Sequence, residues 1–402
     1  TKISRDVYDA TLETYKEKLI DWKDRGILEL EEFLYLKNYS PVLPILYLLP
    51  KIHKNRSNPP GRPIVSSRGS ALENCSRYID YFLRDFVVSL PSYIRDTKDF
   101  LQKIDSFIWE DSYQMMTLDA ASLYTSIAHI HGITAARHFL RVRPIHFLAH
   151  TNMILEMMEF CLTHNIFIFN GDLYQQRRGT AMGTCFAPSY ANLFMGWWEE
   201  QVSIADDTAP GVERCVRWLR YIDDLFLIWD GNVQSAETFV KQLNVNTFNL
   251  EFTCKISNRS IEFLDVLIEI QEGKICSSLY RKPTAGNTLL HALSSHPESL
   301  KWSIPVGELL RAKRNCSSEE TYKVECNNMM ARFKQRGYPN WVLKKAVETV
   351  NSKERDSILY QQPKVLSEGT EEVVRFVTTY DTQHREVSKI LRSNSYSIMT
   401  QS

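Results

Sequence analysis

Between Arg217 and Asp230 the chain reads Arg-Trp-Leu-Arg-Tyr-Ile-Asp-Asp-Leu-Phe-Leu-Ile-Trp-Asp, two apolar strand-like runs interrupted by the adjacent carboxylates of Asp223 and Asp224. No other segment limits the fold so tightly. Two neighbouring aspartates cannot be buried unpaired, because an uncompensated buried charge costs several kcal/mol. Either this is a hairpin whose acidic tip meets cations, or it is a solvated turn, for which Asp is a common choice. A second segment, Gln114-Met-Met-Thr-Leu118-Asp119, also runs an apolar strand straight into a carboxylate. Magnesium takes hard oxygen ligands, usually one or two carboxylates completed by water and substrate phosphates. Phosphoryl transfer from a nucleoside triphosphate uses two such ions about 4 Å apart. The pattern therefore predicts Asp119 and Asp223 as catalytic metal ligands for two Mg²⁺ ions, with Mn²⁺ as a substitute and Asp224 as a third carboxylate.

The rest of the chain supplies a mixed scaffold. Tyr8, Leu12, Tyr15, Leu19 and Trp22 recur at steps of three and four, which predicts an amphipathic helix. A second helix is expected over Ile27 to Leu36, then an extended segment over Pro41 to Pro50 and a turn-rich one over Lys51 to Ser70. Strand patterns recur at Tyr113 to Leu118, Ile166 to Phe169, Leu219 to Trp229 and Ile261 to Ile270. After about residue 290 they fade, helical segments such as Asn340 to Val350 take over, and one more strand is expected near Arg375 to Tyr380. This is an α+β layer arrangement. At 402 residues it implies two to four structural units.

Charge is balanced overall, 48 Lys+Arg against 48 Asp+Glu, but unevenly distributed. Lys51 to Ser70 holds five basic residues and no acidic one, Lys274 to Ala346 thirteen basic against five acidic, and the first forty residues nine acidic against seven basic. The basic stretches are candidates for phosphate contacts, and solvated helical faces read the same way. Eight cysteines lie scattered without a Cys-x-x-Cys pair, as in reduced intracellular proteins. A zinc site drawn from Cys254, Cys276, His291, His296, Cys316 and Cys326 fits no finger-like spacing. No signal peptide opens the sequence, and no apolar run approaches the ~20 residues that cross a bilayer, so no membrane partner is expected. The chain begins at Thr1 and is read as a fragment of a longer product, so domains missing here are no evidence about that product.

Tyr221-Ile222-Asp223-Asp224 resembles the Tyr-x-Asp-Asp signature of reverse transcriptases. Leu49-Pro50-Lys51-Ile52-His53-Lys54 with Pro60-Gly61-Arg62-Pro63-Ile64, Ser122-Leu123-Tyr124-Thr125-Ser126-Ile127, Gly179-Thr180-Ala181-Met182-Gly183-Thr184, Phe263-Leu264-Asp265-Val266 and Tyr280-Arg281-Lys282-Pro283-Thr284 follow in order. The set resembles Penelope-like retroelement reverse transcriptases, relatives of telomerase reverse transcriptases, from about residue 40 to 350. One departure is Met182, where many reverse transcriptases carry Gln. The GIY-YIG endonuclease motif of many members is absent from this sequence.

The resemblance implies a right-hand polymerase with an antiparallel palm sheet and a helical thumb. Its parts would be an N-terminal helical extension (1–40), fingers (41–110), palm (111–290), thumb (291–350) and a C-terminal connector (351–402). It implies nucleotide contacts at Lys51, Lys54, Arg62, Ala120, Tyr124 and Gly183, primer contacts at Arg281 and Lys282, and a structural role for Asp265. The ring of Tyr124 would exclude a 2′-hydroxyl and so select deoxynucleotides; a plain core tyrosine is the competing reading. The implied partners are an RNA template, a DNA primer and deoxynucleoside triphosphates, in the nucleus. Two rivals keep the same residues: a catalytically silent nucleic-acid-binding descendant, and a polymerase of another template or nucleotide type.

Overall fold

A computed structural model describes residues 1–52, 57–204, 211–284 and 286–360, with short stretches at 374–375, 386 and 398–399. The chain divides into two compact units, the first Thr1–Phe100 with Ile108–Leu264, the second Leu101–Phe107 with Asp265–Ser402. The division after Leu264 falls within the segment expected as palm.

The first unit opens with β1 (Lys2–Ile3), α1 (Arg5–Asp24) and α2 (Leu30–Leu36). In α1 the stripe Tyr8, Thr11, Tyr15, Leu19 and Trp22 is buried, close to the spacing the sequence predicts, with Leu12 at its margin. Next come β2 (Ile45–Pro50), β3 (Gly61–Ser66), α3 (Glu73–Val88), α4 (Thr97–Ile104, of which Leu101 onward is counted with the second unit), β4 (Tyr113–Ala120), α5 (Leu123–Ser126), α6 (His129–Leu140) and α7 (Leu148–Thr163). The hairpin β5 (Ile166–Phe169) and β6 (Asp172–Gln175) precedes α8 (Ala187–Ile204), β7 (Cys215–Tyr221), β8 (Asp224–Asp230), α9 (Val233–Leu243), β9 (Phe252–Ser257) and β10 (Ser260–Phe263).

Two sheets organise this unit. The larger runs β1-β6-β5-β2-β3, antiparallel except where β2 meets β5 at Ile45 and Ile168. The other runs β7-β8-β4-β9, antiparallel throughout, so the two central strands carry the two acidic segments. Along β8 the side chains alternate. Leu225, Leu227 and Trp229 enter the main core, where Trp229 lies 4.7 Å from Phe239 of α9. Phe226 faces the other way, 5.0 Å from Phe100 and 5.5 Å from Phe263. On the helical side Trp198 of α8 stacks on Phe252 of β9 at 5.0 Å. Each such large apolar side chain, fully buried, contributes about 1.5–3 kcal/mol. Helices also approach one another closely: a Cβ on Gly132 of α6 would fall 1.9 Å from the Tyr190 hydroxyl of α8.

The second unit contains the hairpin β11 (Val266–Gln271) and β12 (Lys274–Leu279), whose two-residue turn places Glu272 and Gly273 at positive φ. Its helices are α10 (Glu298–Asn315), α11 (Glu319–Gln335), α12 (Asn340–Asn351) and α13 (Arg355–Leu359). Leu309, Met329, Phe333, Leu343 and Val350 form their common core. The end of α11 is fixed by Gly337 at φ +77°: its N–H reaches Lys334 at 3.0 Å, and that of Tyr338 reaches Phe333 at 3.2 Å. Of the strand expected at Arg375 to Tyr380 only Arg375 is described, paired with Met399; the remainder lies outside the described residues.

Candidate active site

The register of the four-stranded sheet sets Asp119 of β4 directly opposite Asp224, the first residue of β8. Asp119 shares its face with Thr117 and Met115, and Asp224 shares its face with Phe226, so both carboxylates stand on the side of the sheet away from α8 and α9. Asp223 lies in the turn before β8. That turn has two residues, Ile222 and Asp223, between the pair Tyr221 and Asp224, and Ile222 holds φ +56°. A β-branched residue pays a steric penalty in the left-handed region, so the surroundings must hold the turn in place. One tie is local: the N–H of Ala120 donates to the Asp223 carbonyl at 2.9 Å.

A second anchor lies underneath. Arg220 is wholly buried, and every guanidinium nitrogen has a partner. Nε donates to Glu199 at 2.8 Å, Nη1 to the Asn192 side chain at 2.8 Å and to the Ile222 carbonyl at 3.4 Å, and Nη2 to Glu199 at 3.2 Å. Glu199 also accepts from Trp218 at 2.8 Å and from Ser92 at 2.5 Å. The backbone joins in, with the Arg220 N–H on the Ser92 carbonyl at 2.7 Å. The sequence reading missed this network. Its signal was an Arg set among Leu219 and Tyr221 in an apolar strand, with Asn192 and Glu199 seven residues apart on one helical face.

Electrostatics tie the basic residues near β2 and β3 to the same point. Burial, and then the charge of Asp119, push the Asp223 carboxyl above its ordinary range, while a hydrogen bond from its own backbone and the charges of Arg62 and Lys51 act in the opposite sense. Tyr124 of α5 is also drawn in: burial, followed by the charges of Asp223 and Tyr221, pushes its phenol up to about 12, with Arg62 opposing. Asp119, Arg62, Lys51 and Tyr124 thus lie within electrostatic reach of Asp223. Lys54 lies outside the described residues.

Gly179 and Gly183 are explained by the protein itself. A Cβ on Gly183, at φ +121°, would fall 2.2 Å from the Val65 carbonyl oxygen, and the next turn of chain is tied to β3 by Val65 N–H to Met182 at 2.9 Å and Ser67 to Gly183 at 3.0 Å. Ala120 is buried, its methyl in the core and its N–H taken by Asp223. On the larger sheet a cavity of about 370 Å³ is lined by Leu46, Pro63, Phe167, Tyr174 and Met182, with Arg177 at its edge. The Phe167 and Tyr174 rings there stack at 6.2 Å.

In the second unit Arg281 pairs with Glu325, its Nη2 is buried without a hydrogen-bond partner, and Lys282 is exposed. Asp265 accepts from Arg311 at 2.6 Å and from Asn315 at 3.2 Å. Among the described residues no three His, Cys, Asp or Glu side chains gather as a group that could hold a metal ion, and this holds for Asp119, Asp223 and Asp224 as well as for the cysteines and histidines. A half-buried Asp223 beside the exposed Asp119 is nonetheless a donor pair that a hard divalent cation stabilises, since magnesium is held by one or two carboxylates with substrate oxygens.

Comparison with known proteins bears on the fold. The telomerase of Candida albicans, in complex with the TWJ fragment of telomeric RNA, superposes with a TM-score of 0.52 at 11% identity over 79% of this chain and 60% of that one. The RNA-dependent RNA polymerase of a human picobirnavirus gives 0.52 at 11% identity over 79% and 63%. The fold is polymerase-like. The chain spans about three fifths of the length of these two structures. A family model described as an animal helix-turn-helix domain matches residues 288–348, which hold α10, α11 and most of α12. No curated protein matches the sequence. Among the described residues no helix is long and apolar enough to cross a membrane.

Proposed function

We propose that this chain is an RNA-directed DNA polymerase of a Penelope-like retrotransposable element, acting in the nucleus on an RNA template, a DNA primer and deoxynucleoside triphosphates. The observation that carries the reading is the sheet register that sets Asp119 opposite Asp224 and the hydrogen bond from the Ala120 N–H that ties the Asp223 turn to β4, with Arg62, Lys51 and Tyr124 within electrostatic reach of Asp223. The four-stranded sheet would then be the palm, the larger sheet part of the fingers, and α10 to α12 the thumb.

Asp119 and Asp223 would hold two Mg²⁺ ions, or Mn²⁺, with Asp224 beside them; when bound, these supply activation of the primer 3′-hydroxyl and neutralisation of the leaving pyrophosphate. Arg62 suits the triphosphate, since its planar fork matches phosphate oxygens, and Lys51 adds a point charge. Tyr124, neutral at working pH, offers an apolar ring to the sugar and excludes a 2′-hydroxyl. The aromatic cavity on the larger sheet suits unpaired template bases, which stack on such rings irrespective of sequence, with Arg177 near their phosphates. Arg281 and Lys282 are proposed to meet the primer backbone. The Candida neighbour's RNA complex supports an RNA partner.

Primer extension on an RNA template, with Mg²⁺ and deoxynucleotides, tests the reading. Wild type extends; Asp223→Asn does not, while still binding the RNA-DNA hybrid. A wild-type protein that binds hybrid but adds no nucleotide with either metal would favour a catalytically silent polymerase fold instead.

A further inference from the structure

Tyr124 sits on a helix of a single turn, α5, with no side-chain cap and with its N-cap Ser122 in the left-handed region at φ +52°. So short a helix does not hold itself, since nucleating one turn is unfavourable and most helical stability comes from packing. Leu123 anchors it in the main core, and the chain at Gly179 and Thr180 braces its backbone. The Thr180 N–H donates to the Tyr124 carbonyl at 2.7 Å. Gly179, at φ +66°, lies so near that a Cβ there would fall 2.5 Å from both that carbonyl oxygen and the Thr125 Cα. The far side of Gly179 is fixed in turn: its carbonyl is 2.9 Å from Nε2 of His129, the first residue of α6. A carbonyl only accepts, so the proton sits on Nε2 and the imidazole donates.

We infer that His129 is a positioning residue for nucleotide selection: by pinning the Gly179 carbonyl it seats the Gly179-Thr180 segment against the Tyr124 backbone, and so fixes how high the Tyr124 ring stands beside Asp223. The inference rests on the polymerase reading and specifies what sets its sugar discrimination. Steric rejection of one hydroxyl depends on the ring's position to a fraction of an ångström, because contact forces fall away within that range. Without the His129 bond the Gly179 carbonyl loses its hydrogen-bonded tie to α6, and the ring position is less closely fixed. His129 touches no reacting group on this view; it acts only through the loop.

Three variants and one spectroscopic readout test it. His129→Ala raises the ratio of ribonucleotide to deoxynucleotide kcat/KM by roughly tenfold, a factor within the range a single pocket contact commands. His129→Gln, whose amide can donate to the same carbonyl, restores most of the discrimination. In a Tyr124→Ala background His129→Ala changes the ratio no further, because both substitutions remove the same barrier. With 3-fluorotyrosine at position 124, the fluorine resonance shifts or broadens in His129→Ala. An unmoved ratio in an active enzyme, or an equal change in the Tyr124→Ala background, overturns the inference. If the wild type extends no primer, the polymerase reading fails by itself, and an unchanged fluorine resonance then separately refutes the positioning role.

Discussion

The guanidinium of Arg220 lies 2.8 Å from the carboxylate of Glu199 and also donates to the carbonyl of Ile222, the strained residue next to Asp223. A buried ion pair of this kind is costly to break from one side, since the abandoned partner keeps its charge in a dry place. Its value here is geometric: it ties the acidic turn to α8 and to the Ser92 segment at once.

Arg220→Met and Glu199→Gln should therefore each destabilise the fold by about 3–5 kcal/mol. Urea unfolding checks this, and the double variant should lose less than the two single losses added, because the second change removes a group already orphaned.

Asp223→Asn should do the reverse. The folded-state pKa of Asp223 is raised, chiefly by burial, so its favourable share of stability is present below the ordinary carboxylate range and is lost as pH rises through the raised value. At neutral pH the ionised carboxylate is thus a cost that Asn removes. In chelator the variant should melt above wild type near pH 7, with the gap closing as the pH falls below the ordinary carboxylate range. Magnesium should raise the wild-type midpoint and leave the variant's unchanged; a variant that melts lower at neutral pH contradicts the burial argument.

Tyr124→Ala should admit ribonucleotides, cutting discrimination by roughly tenfold or more, while deoxynucleotide addition continues. Competition between the two nucleotide types in one extension reaction reads this directly. Unchanged selectivity would return Tyr124 to an ordinary core position and favour a polymerase of another type.

Tyr174→Ala should weaken binding of a primer-template with an unpaired RNA overhang by about 1–3 kcal/mol, with little effect on a blunt-ended hybrid. Fluorescence anisotropy on the two substrates separates these cases, and an equal loss on both would point to a stability defect.

Local pattern explains what could be read in advance. The strand at Ile166 to Phe169 and the helix from Asn340 follow from periodicity and apolar runs alone. The second helix starts at Leu30 instead of Ile27 because Glu29 and Glu32 close a reciprocal capping box at its start. The pair Asp119 and Asp223 was legible because carboxylates at the ends of apolar strands are conspicuous. Arg220 with Glu199, and His129 with Gly179, were not, since these bonds join residues 21 and 50 positions apart and depend on which helix the fold lays beneath the sheet. Likewise Gly183 reads as a substrate-facing glycine in sequence, and only the approach of the Val65 carbonyl reveals a constraint from within the protein.

The cross-strand pairing of Asp119 with Asp224 has a consequence for inheritance. Side chains on a strand alternate between faces, so an inserted or deleted codon in β4 would exchange Asp119 for a core neighbour such as Leu118 or Ala120. A conservative apolar exchange at Met115 or Met116 keeps every other side chain on its own face. A shift in reading length of one residue does not, and lineages of this gene should show substitutions in β4 and β8 but constant spacing to the acidic pair.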